Sequence, residues 1–227
     1  MSGIFIAGTG TDVGKTYITG QLIKLLRDAG EQAGYYKPVL SGAENRDGRR
    51  VPGDAEYVVK TAGLPGKPED YVSYCLEFAA SPHLSARMEQ EEIGLEKILE
   101  DFREKCKEFD WLTVEGCGGL YCPLWEDDGR ELLLTDVIQA MKLPVCLVAD
   151  AGLGTLNHIM LTAESMAAKG IVLKAVILNR FVKGDPICRE NQRWLSNHLR
   201  VPVIPCGENG VPQTGADEWK NLYSSWK

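Results

Sequence analysis

Near its start the chain carries Ile4-Phe5-Ile6-Ala7-Gly8-Thr9-Gly10-Thr11-Asp12-Val13-Gly14-Lys15-Thr16, which reads as a buried strand, a glycine loop and the start of a helix. Glycines in such a loop let backbone N–H groups curl around phosphate oxygens. Lys15 supplies a positive charge, and the Thr16 hydroxyl stands where it can ligate a magnesium ion. The stretch therefore predicts binding of a nucleotide through its phosphates.

This loop is one residue longer than the usual phosphate-binding form. The usual spacing would pair Gly14 with a glycine at position 9, but Thr9 stands there and Gly8 lies one residue earlier. A glycine-rich turn that only joins a strand to a helix is the plain structural alternative. The Gly-Lys-Thr ending at residues 14–16 favours the phosphate-binding interpretation.

Length and charge limit the class of protein. The chain has 227 residues, enough for one α/β domain spanning residues 1–227. Its formal charge is −7 and its pI is near 5.1, so the composition does not indicate a basic surface for binding nucleic acid. Small anionic ligands must therefore be held by local groups.

Cysteine usage and hydropathy indicate the compartment. The seven cysteines lie mostly inside apolar runs, which predicts reduced thiols and a cytoplasmic protein. Cys117 and Cys122 have no second ligand pair nearby, so a zinc site is not expected. No basic segment leads into a long apolar run, and no apolar stretch approaches about 18 residues. We therefore expect neither a signal peptide nor a membrane span.

Strands and helices alternate along almost the whole chain. Apolar strands are predicted near residues 4–7, 34–40, 111–114, 145–150, 172–178 and 201–205. Helices are predicted near residues 15–29, 54–62, 93–109, 131–141, 155–169 and 187–199, with a loop at 41–53, a looser stretch at 64–80 and a last amphipathic segment near 215–226. Repeated strand–helix units predict a single-domain, phosphate-loop NTPase-like α/β fold with a mostly parallel central sheet and helices on both faces.

Polar residues at the carboxyl ends of the strands are the candidates for ligand contact, because ligands of such sheets bind there. Lys37 is either a surface lysine or a second cation near the phosphate loop. Asp54 opens a helix and by itself predicts an N-cap. Glu115 stands beside glycines, where phosphate-loop enzymes place a magnesium carboxylate, with a structural role as the alternative. Asn179 offers an amide for the edge of adenine, although asparagines also commonly end strands.

A set of segments, taken in this order, resembles dethiobiotin synthetase. These are the loop at 8–16, Tyr36-Lys37-Pro38-Val39-Leu40-Ser41-Gly42, Asp54-Ala55, Ser81-Pro82-His83, Val114-Glu115-Gly116-Cys117-Gly118-Gly119, Leu143-Pro144-Val145, Asn157-His158 and Asn179. The resemblance spans residues 3 to about 207. After Phe181 it rests on Val203-Ile204-Pro205, the strand end where the family contacts the base.

The resemblance implies an enzyme that takes 7,8-diaminononanoate, carbon dioxide and Mg-ATP. It forms the cyclic urea dethiobiotin with ADP and phosphate in biotin synthesis. In the family, an amine carbamate attacks the γ-phosphoryl group, and the second amine then closes the ring. Such a reaction requires cations and backbone donors that position two anions more than it requires an acid–base pair.

The resemblance also implies roles for residues of this chain. Lys15 and Lys37 would offset charge on the carbamate and the phosphate, and Ser41 would hold the substrate. The magnesium ligands would be Thr16, Asp54 and Glu115. The nucleotide would be bound by Gly10, Thr11, Asp12, Val13, Gly14, Lys15, Thr16, Glu115, Gly116, Cys117, Gly118, Asn179 and Pro205.

In the family that the chain resembles, the active site lies at a homodimer interface, and the second subunit receives the carboxylate tail of the diamine. The segment at 152–157, Gly-Leu-Gly-Thr-Leu-Asn, suits this role because glycines permit close approach and the following helix directs free N–H groups toward an anion. We therefore expect a homodimer in which Asn157 contacts substrate held mainly by the other chain. An ordinary capped helix is the alternative for this segment.

Two other functions remain open on the sequence. A related phosphate-loop ligase or amidotransferase would act on a different acid, but such amidotransferases usually carry a glutaminase domain, for which this chain is too short. A partitioning-type nucleotide switch would bind ATP and regulate a partner. Switches of that type usually carry an additional lysine early in the loop, where residues 9–11 are Thr-Gly-Thr.

Overall fold

The computed structural model describes residues 1–207 and 215–225. The strands in these ranges are β1 (Ser2–Gly8), β2 (Ala33–Ser41), β3 (Glu44–Arg46), β4 (Arg49–Val51), β5 (Val72–Leu76), β6 (Trp111–Glu115), β7 (Pro123–Asp127), β8 (Arg130–Leu133), β9 (Val145–Asp150), β10 (Leu173–Asn179), β11 (Val203–Pro205) and β12 (Ser224–Ser225). The helices are α1 (Lys15–Asp28), α2 (Gly53–Ala62), α3 (Pro82–Glu89), α4 (Leu95–Glu108), α5 (Leu134–Met141), α6 (Thr155–Ala168), α7 (Pro186–His198) and α8 (Ala216–Lys220). A short 3-10 helix, Pro68–Tyr71, precedes β5.

The fold is a single α/β domain built on one central sheet. The strand order is β11-β10-β9-β1-β6-β2-β5, and each of these neighbours pairs in parallel. Strand β12 adds a short antiparallel pair beside the start of β1. Strands β1 and β9 are buried almost without interruption, which requires helices on both faces of the sheet. The predicted fold class is confirmed.

The strand order brings three carboxyl ends together at one edge of the sheet. Ile6 of β1 pairs with Glu115 of β6, and Tyr36 of β2 pairs with Val114 of the same strand. After β1 the chain crosses to β2, which lies towards the β5 edge of the sheet. After β6 it crosses in the opposite direction to β9, which lies towards the β11 edge. Such a reversal opens a crevice beyond the strands, and the loop between β1 and α1 lies there.

Several predicted boundaries need correction. Strand β5 lies inside the predicted loose stretch at 64–80, and among the described residues it is an edge strand that pairs with β2 alone. Its apolar alternation is short, because only Tyr74 and Leu76 are buried. The first residues of the predicted helix at 131–141 belong to β8, and α5 begins at Leu134. The segment predicted near 215–226 contains α8 and β12, and residue 226 lies outside the described ranges.

Two small hairpins stand apart from the central sheet. Strands β3 and β4 lie in the predicted loop at 41–53, and β7 and β8 follow the loop after β6. Both turns have Asp-Gly at their centre, with positive φ at Asp47 (53°), Gly48 (79°), Asp128 (44°) and Gly129 (76°). Positive φ at both central residues is the pattern of a type I′ turn, and Asp-Gly is its sequence signal. The loop prediction for 41–53 missed that signal.

The helix boundaries follow the local sequence more closely. Helix α3 begins with Pro82 directly after Ser81, and proline is favoured at the first helical position. Gly63 adopts the left-handed conformation that ends α2. No helix in the described part of the chain combines the length and the hydrophobicity that crossing a bilayer requires.

Candidate active site

A cleft of about 880 Å³ opens at the carboxyl edge of the sheet. The phosphate loop, the end of β2, the start of α2 and the loop after β6 form its walls. Six residues singled out from four segments line this one cleft: Lys15, Thr16, Lys37, Ser41, Asp54 and Glu115. The structure thus brings together the catalytic and metal candidates of the sequence.

The Lys15 ammonium ties the phosphate loop to the loop after β6. Its Nζ donates to the carbonyl oxygens of Gly10 and Gly118, both at 2.9 Å. Lys15 is buried, and this burial, reinforced by the nearby Lys37, lowers the pKa of Lys15. The ammonium is therefore fixed by neutral acceptors, which leaves its charge available to a phosphate.

Asn179 supports the phosphate loop from beneath. Its Nδ2 donates to the Val13 carbonyl at 3.0 Å, and a Cβ on Gly14 would lie only 2.0 Å from this nitrogen. Gly14 also has a φ of 93°, which a side chain rarely tolerates. The Asn179 Oδ1 is buried and accepts no hydrogen bond within the described residues. One acceptor at this strand end therefore remains free for a ligand.

The Glu115 carboxylate lies at the centre of the site and has no exposure to solvent. Its Oε1 accepts hydrogen bonds from Thr16 Oγ1 at 2.7 Å and from Lys37 Nζ at 3.0 Å. Its Oε2 accepts from the Tyr35 hydroxyl at 2.8 Å. A buried carboxylate requires both a counter-charge and donors for its lone pairs. These three side chains supply them.

Lys37 is bound by two carboxylates. Besides its contact with Glu115, its Nζ lies 2.7 Å from Asp54 Oδ2. Burial disfavours the charged form of Lys37, but Glu115 and Asp54 outweigh burial and hold the pKa of Lys37 above its usual value. Burial likewise opposes the ionisation of Asp54, and Lys37 outweighs it, so the pKa of Asp54 is lowered. Lys37 and Asp54 are therefore both charged at neutral pH, and Lys37 is not a surface lysine.

The N-cap prediction for Asp54 is wrong. Helix α2 has Pro52 as its N-cap, and Asp54 lies inside the first turn with its side chain directed at Lys37. This leaves the carboxylate 43% exposed, so it faces the open cleft rather than the helix backbone. Asp54 is therefore available to a ligand.

The oxygen donors of the cleft fit a magnesium ion that arrives with a nucleotide. Thr16 contributes a hydroxyl, which lies 2.7 Å from Glu115 Oε1, while Glu115 and Asp54 contribute carboxylates. No group of three or more His, Cys, Asp or Glu in the described ranges could hold a metal ion by itself. Mg²⁺ commonly takes one or two carboxylates and completes its shell with phosphates and water. The residues present match that pattern.

The two substrate candidates lie in different places. Ser41 stands in the wall of the cleft and donates from Oγ to the Ala80 carbonyl at 2.6 Å. Asn157 is exposed in the first turn of α6 and is not among the residues that line the cleft. One copy of the chain does not bring Asn157 to Lys37. Its contact with substrate across a dimer stays a prediction.

The remaining nucleotide candidates fall into two groups. Cys117 and Gly118 line the cleft after Glu115, and a Cβ on Gly116 would lie only 2.9 Å from the Phe5 ring. Pro205 ends β11 and pairs with Leu178 of β10, the residue that precedes Asn179. A contact between Pro205 and the base stays a prediction.

Two residues of the site were missed from the sequence. Tyr35 precedes Lys37 by two positions on β2, so strand alternation places both on the same face, and this signal was available. Arg180 donates to the Asp12 carbonyl at 2.7 Å and to Asp150 Oδ2 at 2.8 Å, which holds the phosphate loop from the side. Arg180 has a φ of 56°, in the left-handed region, and nothing in its local sequence predicts this backbone conformation.

Comparisons with known proteins identify the family. A protein-family model described as an AAA domain matches residues 2–209. The ATP-dependent dethiobiotin synthetase BioD of Clostridium botulinum strain Langeland is 47% identical over 208 residues, which is 91% of each chain. The chain belongs to the dethiobiotin synthetase family. The same enzyme of strain Okra is 46% identical over 207 residues, again 91% of each chain.

Solved structures with the same fold are more distant. The MinC:MinD cell division protein complex of Aquifex aeolicus matches with a TM-score of 0.53 and 13% identity, over 92% of this chain and 82% of that chain. The receptor FtsY of Elizabethkingia anophelis in complex with GDP matches with a TM-score of 0.51 and 16% identity, over 98% of this chain and 64% of that chain. These likenesses concern the fold alone. Family membership makes the protein an ATP-dependent ligase of biotin synthesis.

We expect Tyr35→Phe to lower the free energy of unfolding by about 1–3 kcal/mol, because the buried Glu115 carboxylate loses a donor that water cannot replace. Urea unfolding at neutral pH measures this change. Tyr17→Phe is the matched control, since Tyr17 is 49% exposed and its change should stay within about 0.5 kcal/mol. Equal stabilities of the two variants would show that the Tyr35 contact with Glu115 contributes nothing.

Proposed function

We propose that this enzyme uses ATP to join carbon dioxide to 7,8-diaminononanoate and to close the product into dethiobiotin, releasing ADP and phosphate. Family membership supports the reaction class. The observation that carries the proposal is that Lys15 and Lys37 both line one cleft, with Ser41 in the adjoining wall. A phosphate loop on one side and a second cation on the other suit a reaction between two anions.

The lysines have different tasks in this proposal. Lys15, held by two carbonyls, offsets charge on the transferred phosphoryl group, and the loop N–H groups of residues 10–16 surround the phosphates. Lys37 reaches the cleft from β2 and offsets charge on the carbamate. Ser41 orients the diamine next to Lys37. Most of the rate enhancement then comes from positioning, as in other phosphoryl transfers.

The remaining ligand contacts follow from the same geometry. Thr16, Asp54 and Glu115 would hold a magnesium ion, which neutralises phosphate charge when it is bound. The free Asn179 Oδ1 is an acceptor for the amino group of adenine, and Pro205 on the neighbouring strand would border the base. Gly116, Cys117 and Gly118 would form the floor of the nucleotide site.

The two alternatives have less support. The fold is shared by proteins of many functions, so by itself it does not distinguish the proposed reaction from a ligase for another acid or from a partitioning-type switch. At 47% identity over 91% of the chain, however, the relatives are dethiobiotin synthetases. We accordingly place the enzyme in the cytoplasm, as one domain spanning residues 1–227 that acts on small molecules as a homodimer.

The first test is the requirement for both substrates. With ¹³C-bicarbonate, diamine and Mg-ATP, the enzyme should form one labelled cyclic urea for each ADP released, measured by mass spectrometry and a coupled ADP assay. ADP release that does not depend on the diamine would instead favour a nucleotide switch. Labelled product from another amine alone would favour a different ligase.

Lys37→Ala should lower kcat by roughly 10²-fold or more, because it removes a cation that faces developing charge. Lys60→Ala is the control, since Lys60 is an exposed lysine of α2. Circular dichroism checks that the Lys37 variant remains folded despite the lost ion pairs. A folded Lys37→Ala enzyme with near-normal kcat would remove Lys37 from the mechanism.

The dimer is tested by complementation. If Asn157 contacts substrate held by the other chain's Lys37 and Ser41, then mixed dimers of Lys37→Ala and Asn157→Ala protomers contain one site without either change. Co-refolded mixtures should regain up to about a quarter of the wild-type activity, since half of the dimers are mixed and each has one intact site of two. Proven mixed dimers as inactive as the parents would disprove the shared site.

A further inference from the structure

Two thiols face each other in the wall of the active-site cleft. The Sγ atoms of Cys117 and Cys122 lie 3.9 Å apart, and both residues line the cleft. Both residues are half-buried. The proposed reaction needs no sulfur chemistry. The facing thiols are therefore unexplained by it.

The loop between the thiols carries a contact to the phosphate-binding lysine. The Gly118 carbonyl accepts from Lys15 Nζ at 2.9 Å. The Cys122 N–H donates to the Gly119 carbonyl at 3.1 Å, which folds this loop into a tight turn. Cys122 Sγ also lies 3.0 Å from the position that a Cβ on Gly118 would occupy. The carbonyl that holds Lys15 therefore belongs to the short segment that the two cysteines bracket.

We propose that Cys117 and Cys122 are a site of reversible disulfide formation that controls nucleotide binding. Closing the bond brings the sulfurs from 3.9 Å to about 2.05 Å. The turn tightens around Gly118 and Gly119, and the Gly118 carbonyl leaves the Lys15 ammonium. The oxidised enzyme then holds the triphosphate less tightly. The effect on turnover rests on the proposed function, whereas the modification and its effect on ATP binding do not.

The oxidant is a small-molecule disulfide, RSSR. The thiolate of one cysteine attacks it, forming a mixed disulfide and releasing one RS⁻. The second cysteine loses its proton and attacks the protein sulfur of the mixed disulfide, which expels the second RS⁻. Two protein thiols are oxidised by two electrons, and RSSR is reduced to two RSH. An added dithiol reverses both steps.

The experiment uses the full-length enzyme and oxidised glutathione. Intact-protein mass and peptide mapping should show an internal link between Cys117 and Cys122, with the loss of two hydrogen atoms. The Kd for a fluorescent ATP analogue should rise about tenfold, because the displaced Lys15 ammonium loses one charged hydrogen bond to the phosphates, and it should recover with dithiothreitol. Neither readout needs the diamine, so failure of the proposed reaction leaves this test intact.

Two variants complete the design. Cys122→Ser should accumulate the mixed disulfide at Cys117, because it lacks the second thiol. Cys75→Ser, which removes another half-buried thiol, should behave as the wild type. Thiols that stay free in the wild type, a mixed disulfide that never resolves there, or an internal link that leaves the Kd unchanged would each overturn the proposal.

Discussion

The Glu115 carboxylate is buried without any exposure, and the arrangement of the site depends on how its charge is balanced. Its donors come from two other elements: Thr16 from α1, and Tyr35 and Lys37 from β2. Removing one partner from such a buried charge is strongly destabilising. The same contacts therefore hold β2 and α1 against the carboxyl end of β6 and fix the orientation of the groups that face the cleft.

This balance places two lysines in unlike electrostatic environments within one cleft. Lys15 is held by carbonyls and its pKa is lowered by burial and by Lys37, whereas Glu115 and Asp54 raise the pKa of Lys37. Burial disfavours the charged form of both lysines, and the two carboxylates favour the cationic form of Lys37. An arriving anion can then compete for Lys37, because Asp54 on the open side of the cleft is partly exposed.

Much of this site was predictable because its residues belong to motifs that can be recognised in the local sequence. A glycine loop ending in Lys15 and Thr16, and Glu115 at the end of an apolar strand, identify positions in a parallel sheet before any contact is known. Contacts that arise only when two strands pair were not predictable from the sequence. Tyr35 becomes a partner of Glu115 only when β2 and β6 lie side by side. The Asp-Gly turns and the short edge strand β5 were readable and were missed, whereas the predicted contact of Asn157 with substrate requires a second copy of the chain.

The most direct test of the account measures metal binding at Glu115 without turnover. Mn²⁺ replaces Mg²⁺ as a probe, and electron paramagnetic resonance follows its affinity in the presence of a non-hydrolysable ATP analogue. Glu115→Gln keeps the shape of the side chain and removes its charge, so it should weaken Mn²⁺ binding by about tenfold or more while circular dichroism stays unchanged. A folded Glu115→Gln protein that binds Mn²⁺ as tightly as the wild type would contradict the account.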